Sequence, residues 1–380
     1  MLEVEGDPNV AVMEPTTAHV ESRASVKEGL EGVVVAATRL SDVDGERGRL
    51  IVAGHDVEAL AGRITFEDVV ALLDTGHLPG AAERATLVGA LGRARVRAAE
   101  RLADVLPALA RADAMDALRG ATAQLATDDP IEVLAGVSVF AAAWARVAAG
   151  KAPVAPDPQL SQAADYLRMV TGEAPDAART AALDAYLVTV ADHGMNASTF
   201  TARVVASTGS DLVSSVVAAL GALKGPLHGG APGPVLAMLD AIGAPDRAPA
   251  WLEAELASGR RIMGMGHRIY RVRDPRAAVL EKATLALEAA GITTGRLALA
   301  RAVERAAEGV LRVRHPNRPL HANVEFYTAV LLDTVGLPRE LFTATFAVGR
   351  TAGWCAHVAE QRKNGRLIRP ASLYVGEVPA

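Results

Sequence analysis

Apolar residues recur along this 380-residue chain mostly with a helical period. Phe66, Val69, Val70 and Leu73 follow Thr65 at spacings of three and four, which predicts an amphipathic helix opened by a threonine cap. Leu183, Tyr186, Leu187 and Val190 form a second stripe, closed by Gly194, and Leu299, Val303, Ala307 and Val310 a third. Asp274 followed by Pro275 predicts another helix start, with the aspartate as cap and the proline in the first turn. A further helix opens near Asn323 and continues through residues 330–332. Strand-like alternation is scarce. The best hairpin candidate pairs residues 32–40 with 48–52 across a turn at 42–45. Residues 150–158 carry three prolines and read as an ordered loop or short linker. There is no internal repeat, no repeated strand–helix–strand unit, no GxGxxG after a strand and no P-loop, which argues against dinucleotide-binding and kinase folds.

Composition narrows the class. The chain is 50% hydrophobic, enough for a sizeable core, and its length suggests two or three units at about 150 residues each. Its net charge of -5 gives no reason to expect a nucleic-acid partner, although local arginine clusters can still serve small anions. The one cysteine, Cys355, can form neither an internal disulfide nor a cysteine-rich zinc site, which fits a reducing, cytoplasmic setting. The apolar run at 212–223 is far short of the roughly 20 residues of a membrane span. The opening MLEVEGDPNV has neither the basic nor the apolar region of a secretory signal, and residues 1–25 read as a loose acidic arm.

Three histidines stand beside glycines or helix starts. His193 lies in DHGMNAST, between one helix and the next, with Asn196 or Ser198 able to cap the second; on spacing alone a histidine capping the helix end is the better explanation. His228 lies in KGPLHGGA, where glycines permit close backbone approach to a ligand or an ordinary tight turn. His267 lies in MGMGHRIYR, followed by Arg273, Asp274, Pro275 and Arg276. That combination suits a carboxylate or phosphate cradle, or a basic surface loop. Glu325 falls in the first turn of the helix near Asn323, where the helix dipole favours its charged form. Arg350 sits among small residues in GRTAGWCAH, where it would be costly to bury unpaired. None of these spacings is a metal signature, and neither a GxSxG elbow nor a cysteine-nucleophile pattern occurs.

In order and spacing, several segments resemble the citrate synthase family from about Gly29 to Gly376. They are PLHGGA at 226–231, GMGHRIY at 264–270 with DPRA at 274–277, PRELF at 338–342, GRTAGW at 349–354 and RLIRP at 366–370. The resemblance implies an all-α, two-domain homodimer with a short N-terminal hairpin. Residues 26–228 and 336–380 would form a large domain, and 229–335 a small domain closing over the cleft. It also implies condensation of acetyl-CoA with oxaloacetate and water to citrate and CoA, without a metal or redox cofactor. His228 would stabilise the enol, Glu325 would act as general base, and His267 would polarise the keto carbonyl. His193, Arg276, Arg350 and Arg369 would bind the oxo acid, Arg369 from the other subunit, while Arg271 with Gly264, Met265 and Gly266 would contact the coenzyme. Two positions depart from the family pattern: Glu325 replaces the usual aspartate, and Ala371 stands where many members carry arginine. A 2-methylcitrate synthase using propionyl-CoA, and a weakly catalytic paralogue that binds CoA or oxo acids, remain as alternatives.

Overall fold

The computed structural model describes residues 26–174, 176–229, 232–317 and 319–377, so the arm expected over 1–25 lies outside the described residues. The chain divides into a terminal unit, Met1–Ala37 with Ile368–Ala380, and a main unit, Thr38–Leu367. The described part of the terminal unit contains one 3-10 turn, Glu28–Leu30, and exposes Val26, Val34, Tyr374 and Val375.

The main unit begins with a small antiparallel sheet of β1 (Ser41–Asp44), β2 (Arg49–Val52) and β3 (His55–Asp56). Ser41 pairs with Val52 and Asp44 with Arg49, so the expected hairpin exists but is displaced. Residues 42–44 are strand rather than turn, and the turn is at 45–48. Burial explains the shift. Leu40, Leu50 and Val52 reach the core, whereas Val34 in the apolar run at 32–37 remains 88% exposed. The turn itself needs Gly45, because a Cβ there would lie 2.3 Å from the Ile269 carbonyl oxygen.

The remaining regular structure is helical, as expected. The first helices are α1 (Val57–Leu60), α2 (Phe66–Thr75), α3 (Ala81–Glu100), α4 (Leu102–Leu109), α5 (Ala114–Thr122) and α6 (Pro130–Ala148). Next come α7 (Gln162–Thr171), α8 (Ala177–Val190), α9 (Ala197–Ala206), α10 (Leu212–Leu223) and α11 (Pro232–Ile242). The chain continues through α12 (Ala248–Ala257), α13 (Pro275–Ala289), α14 (Arg296–Arg314), α15 (Val324–Val335) and α16 (Phe342–Asn364).

Local chemistry sets many of these boundaries. Thr65 and Asp68 form a reciprocal capping box at the start of α2. Asn196, Asp274 and Asn323 accept backbone N–H groups at the starts of α9, α13 and α15. The stripe on α14 buries Leu299, Val303 and Ala307 but continues to Leu311, leaving Val310 half-buried. α8 stops at Val190, and residues 191–194 make the turn into α9.

Two helices run through the core. α6 is long and apolar enough to cross a membrane, but 67% of its apolar window is buried inside the fold. It packs against α3, α5, α7 and α16. α16 is buried along most of its 23 residues and also packs against α2, α8, α9 and α10.

Removing the α2 cap should have a measurable cost. Thr65→Ala is expected to destabilise the protein by about 1 kcal/mol, seen as a lower urea midpoint. An unchanged midpoint would show that the capping box contributes nothing.

Candidate active site

His193 follows the end of α8 and is buried, 6% exposed. Its Nε2 lies 3.1 Å from the Tyr270 hydroxyl. The rings of His193, His267 and Tyr270 form a cluster, with centroids 4.7–5.7 Å apart. Tyr270 and His267 share the loop between α12 and α13. A short antiparallel contact between Met265 and Ala322 holds that loop to the segment before α15. Gly266 N–H donates to the His321 carbonyl at 2.7 Å, and Asn323 N–H to the Gly264 carbonyl at 2.9 Å. Both glycines adopt left-handed φ, and added Cβ atoms would meet Phe326 and Leu320 at 2.9 and 2.8 Å.

The proton positions follow from these partners. His267 Nδ1 accepts the N–H groups of Ile269 and Tyr270 at 3.0 and 3.1 Å, so the neutral ring carries its proton on Nε2. Arg276 Nη2 lies 3.4 Å from that nitrogen. Both are donors, so they converge on a position suited to an acceptor oxygen. His228 occupies the turn after α10, and its Nε2 accepts Ser198 N–H at 3.3 Å. Its own proton therefore sits on Nδ1. Ser198 Oγ lies 2.8 Å from His228 Nε2 and accepts the Trp354 indole N–H at 3.2 Å.

Asp274 connects two helix starts. Its buried carboxylate accepts the backbone N–H and guanidinium of Arg276 on α13, at 2.8–3.0 Å. It also accepts Val324 N–H at the start of α15, at 3.1 Å. Glu325 is the next residue. It is 9% exposed, and its Oε2 has no hydrogen-bond partner among the described residues. Arg350 on α16 is 1% exposed; its Nε donates to the Val190 carbonyl at 2.5 Å, and its guanidinium lies 4.7 Å from the centre of the Phe346 ring. Among the described residues no carboxylate lies within ion-pair distance of it.

Burial sets the charges. It lowers His228 and His267 to about 4, helped by Arg350 in the first case and Arg276 in the second. Burial, then Arg276 and Arg350, also holds His193 well below its ordinary value. All three rings are therefore neutral donors or acceptors at neutral pH. Burial alone would lower Arg276, but Asp274 outweighs it and holds the guanidinium above its usual value. Burial pulls Arg350 down to about 10, with Asp192 as the main opposing influence. It raises Glu325 to about 7, against the pull of Arg276 and Arg350. A base that titrates near neutrality thus shares a buried site with two cations and three neutral imidazoles.

The other predicted residues are placed differently. Arg271 is about half exposed, 4.0 Å from Glu46, and its backbone N–H donates to the Gly45 carbonyl. Arg369 is exposed and belongs to the terminal unit. The sequence assigned no role to Tyr270 or Trp354 and offered Ser198 only as a helix cap, a place that Asn196 takes. The position of Tyr270 three residues after His267 was the available signal for the first. Among the described residues no group of three or more His, Cys, Asp or Glu side chains is arranged to hold a metal. A separate cavity of about 380 Å³ lies between α8 and α13, lined by Ala182, Ala185, Val279 and Lys282 among others, and includes none of the site residues.

The chain is similar to known proteins over most of its length. Residues 29–371 match the model of the citrate synthase C-terminal domain. A putative citrate synthase 2 of Mycobacterium tuberculosis is 42% identical, covering 92% of this chain and 93% of the relative. A 2-methylcitrate synthase of the same species is 38% identical, covering 95% and 93%. Among solved structures, the citrate synthase of Thermoplasma acidophilum in ternary complex with carboxymethyl coenzyme A and oxaloacetate superposes with a TM-score of 0.84. It shares 27% identity and covers 94% of this chain and 97% of its own.

The raised Glu325 predicts a pH-dependent stability. The ordinary carboxyl value is 4.5 and the folded value about 7, so the folded protein retains a proton that the unfolded chain releases between them. Stability therefore falls as pH rises through this window. Glu325→Gln removes the effect and should gain up to about 3 kcal/mol over the wild type on going from about pH 4 to about pH 8. Parallel stability–pH curves for the two proteins would contradict the burial of this carboxyl.

Proposed function

The chain belongs to the citrate synthase family of acyltransferases, and from that premise we propose that it condenses acetyl-CoA with oxaloacetate and water to give citrate and CoA. The observation that carries the proposal is Glu325: a buried carboxylate with an unpartnered oxygen, raised to about 7, beside Arg276 and Arg350.

In this reading Glu325 takes a proton from the methyl carbon of the thioester. The C–H electrons move into the enol, whose oxygen accepts the Nδ1–H of His228. The enol carbon attacks the keto carbon of oxaloacetate and forms the new C–C bond. The keto oxygen becomes a hydroxyl by taking the Nε2 proton of His267, where Arg276 also converges, and the proton taken up by Glu325 returns through solvent to His267 Nε2. Water then cleaves the citryl thioester, releasing CoA as the free thiol. Arg276 and Arg350 bind the carboxylates of the oxo acid, and His193 with Tyr270 orients it. Arg369 completes the clamp from a second copy in a homodimer. Residues 229–335 move as a small domain that closes the cleft, excluding water until the carbon bond has formed. Arg271 and the 264–266 loop contact the coenzyme. No resident metal or cofactor is needed.

Glutamate is one methylene longer than the aspartate usual at this position, so the donor carbon must lie correspondingly farther from the α15 backbone. A second reading concerns the donor. A 38% identical relative bears the name 2-methylcitrate synthase, which supports propionyl-CoA as the donor for this chain, and one extra methyl changes discrimination by only about 1 to 3 kcal/mol.

Thiol release from acetyl-CoA and propionyl-CoA, each with oxaloacetate, tests both readings. The expected outcome is faster release from acetyl-CoA. A clear preference for propionyl-CoA selects the second reading, and no release from either overturns both. Glu325→Gln should lower kcat by about 100-fold to 10,000-fold while oxaloacetate binding is retained.

A further inference from the structure

Successive turns of α16 grip three consecutive residues immediately before His193. Arg350 Nε donates to the carbonyl of Val190 at 2.5 Å, and Gly353 N–H donates to that of Ala191 at 3.1 Å. His357 Nε2 lies 3.1 Å from the Asp192 carboxylate. Residues 350, 353 and 357 lie on one face of the helix, at spacings of three and four. Close approach requires glycine at two positions of this stretch of α16. A Cβ on Gly349 would lie 2.6 Å from a Val190 methyl, and one on Gly353 would lie 2.3 Å from the Ala191 carbonyl oxygen.

The grip on Asp192 extends deeper into the protein. Arg203 Nη1 lies 2.8 Å from His357 Nδ1. An arginine can only donate, so Nδ1 is the acceptor and the ring proton is on Nε2, directed at Asp192. Arg203 is itself fixed by Glu360 at 2.8 Å and by Gln361 at 3.0 Å. Asp192 and His357 are 0% exposed and Arg203 is 2% exposed. The chain therefore runs from α9 through α16 to the residue next to His193, and it leaves the imidazole one tautomer. Asp192 is also the main influence opposing the effect of burial on Arg350.

Resting on the oxo-acid site proposed above, we propose that Asp192, held by His357, which Arg203 fixes in turn, is a positioning residue that holds His193 at a fixed spacing from Arg350 for binding the oxo acid. None of the three touches the coenzyme half in this scheme. Loss of the clasp should therefore weaken one substrate and spare the other. A displacement of His193 on the order of 1 Å is enough for a large effect, because a misplacement of about that size can cost about 100-fold.

The test uses the full chain with three substitutions. His357→Phe fills the space without either hydrogen bond. His357→Gln offers an N–H to Asp192 and an oxygen to Arg203, and His357→Asn, one methylene shorter, can reach Arg203 but not Asp192. Oxaloacetate binding is measured by calorimetry, together with KM for oxaloacetate, KM for acyl-CoA and the melting temperature. His357→Phe is expected to weaken oxaloacetate binding and raise its KM by about 10-fold to 100-fold, with KM for acyl-CoA held within about 3-fold. His357→Gln should recover wild-type binding within about 3-fold. If the phenylalanine variant does not fold, His357→Asn takes its place with the same expectation.

Unchanged oxaloacetate binding in the phenylalanine or asparagine variant overturns the proposal. So does a loss that extends equally to acyl-CoA and is not restored by glutamine, because that pattern marks a purely structural role. A wild-type protein that binds oxaloacetate but releases no thiol overturns the condensation reading alone, and the calorimetric comparison still decides the role of Asp192. A wild type that does not bind oxaloacetate overturns both.

Discussion

The carboxylate of Asp274 is the constraint on which the site depends. It caps α13, neutralises Arg276 two residues later and accepts the backbone N–H of Val324 at the start of α15. One buried group thus joins two helix N-termini, one carrying the Arg276 cation and the other the Glu325 carboxyl. A buried guanidinium carries a large desolvation penalty, and the bidentate pair offsets it only because its geometry is fixed by the cap. Asp274 can perform all these tasks because an aspartate at an N-cap already points its oxygens along the helix axis toward free N–H groups.

Arg350 has no equivalent. It is nearly fully buried with one carbonyl partner, and Asp192 is its nearest compensation in electrostatic terms. With Arg276 neutralised by Asp274, Arg350 is the source of excess positive charge in this low-dielectric space. That space also contains three uncharged imidazoles and a carboxyl that titrates near neutrality. An anionic ligand with two acceptor ends matches this balance. The neutral histidines follow from the same cause: burial and nearby arginines exclude the imidazolium form, so the rings supply hydrogen bonds without adding charge.

α16 connects core to chemistry. Its packing against α6, α8, α9 and α10 makes it rigid, and its face at 350, 353 and 357 transfers that rigidity to the turn carrying His193. Gly349 and Gly353 are there for proximity, since any side chain would separate α16 from residues 190–192. The same helix carries Trp354, whose indole reaches Ser198 and through it His228. Two of the three histidines thus owe their placement to one core helix.

Local features were legible in the residue order because their causes are local. The caps at Thr65, Asp274 and Asn323, the stripe on α2 and the glycines around His267 depend on neighbours within a few positions, where periodicity and capping act. The ordered motifs also pointed to the three histidines, Glu325 and the arginines, though each residue alone had a structural explanation such as a cap or a turn. What could not be read depended on distant partners. The hairpin register was decided by the burial of Leu40, Leu50 and Val52 in the core of the main unit. Tyr270 meets a histidine 77 residues away and His357 an aspartate 165 residues away, and no local spacing encodes either pair. The protonation of the site belongs to the same class. Sequence supplied the ionisable groups, but only tertiary burial, which removes water and brings separate helices together, made the imidazoles neutral and Glu325 a base near neutral pH.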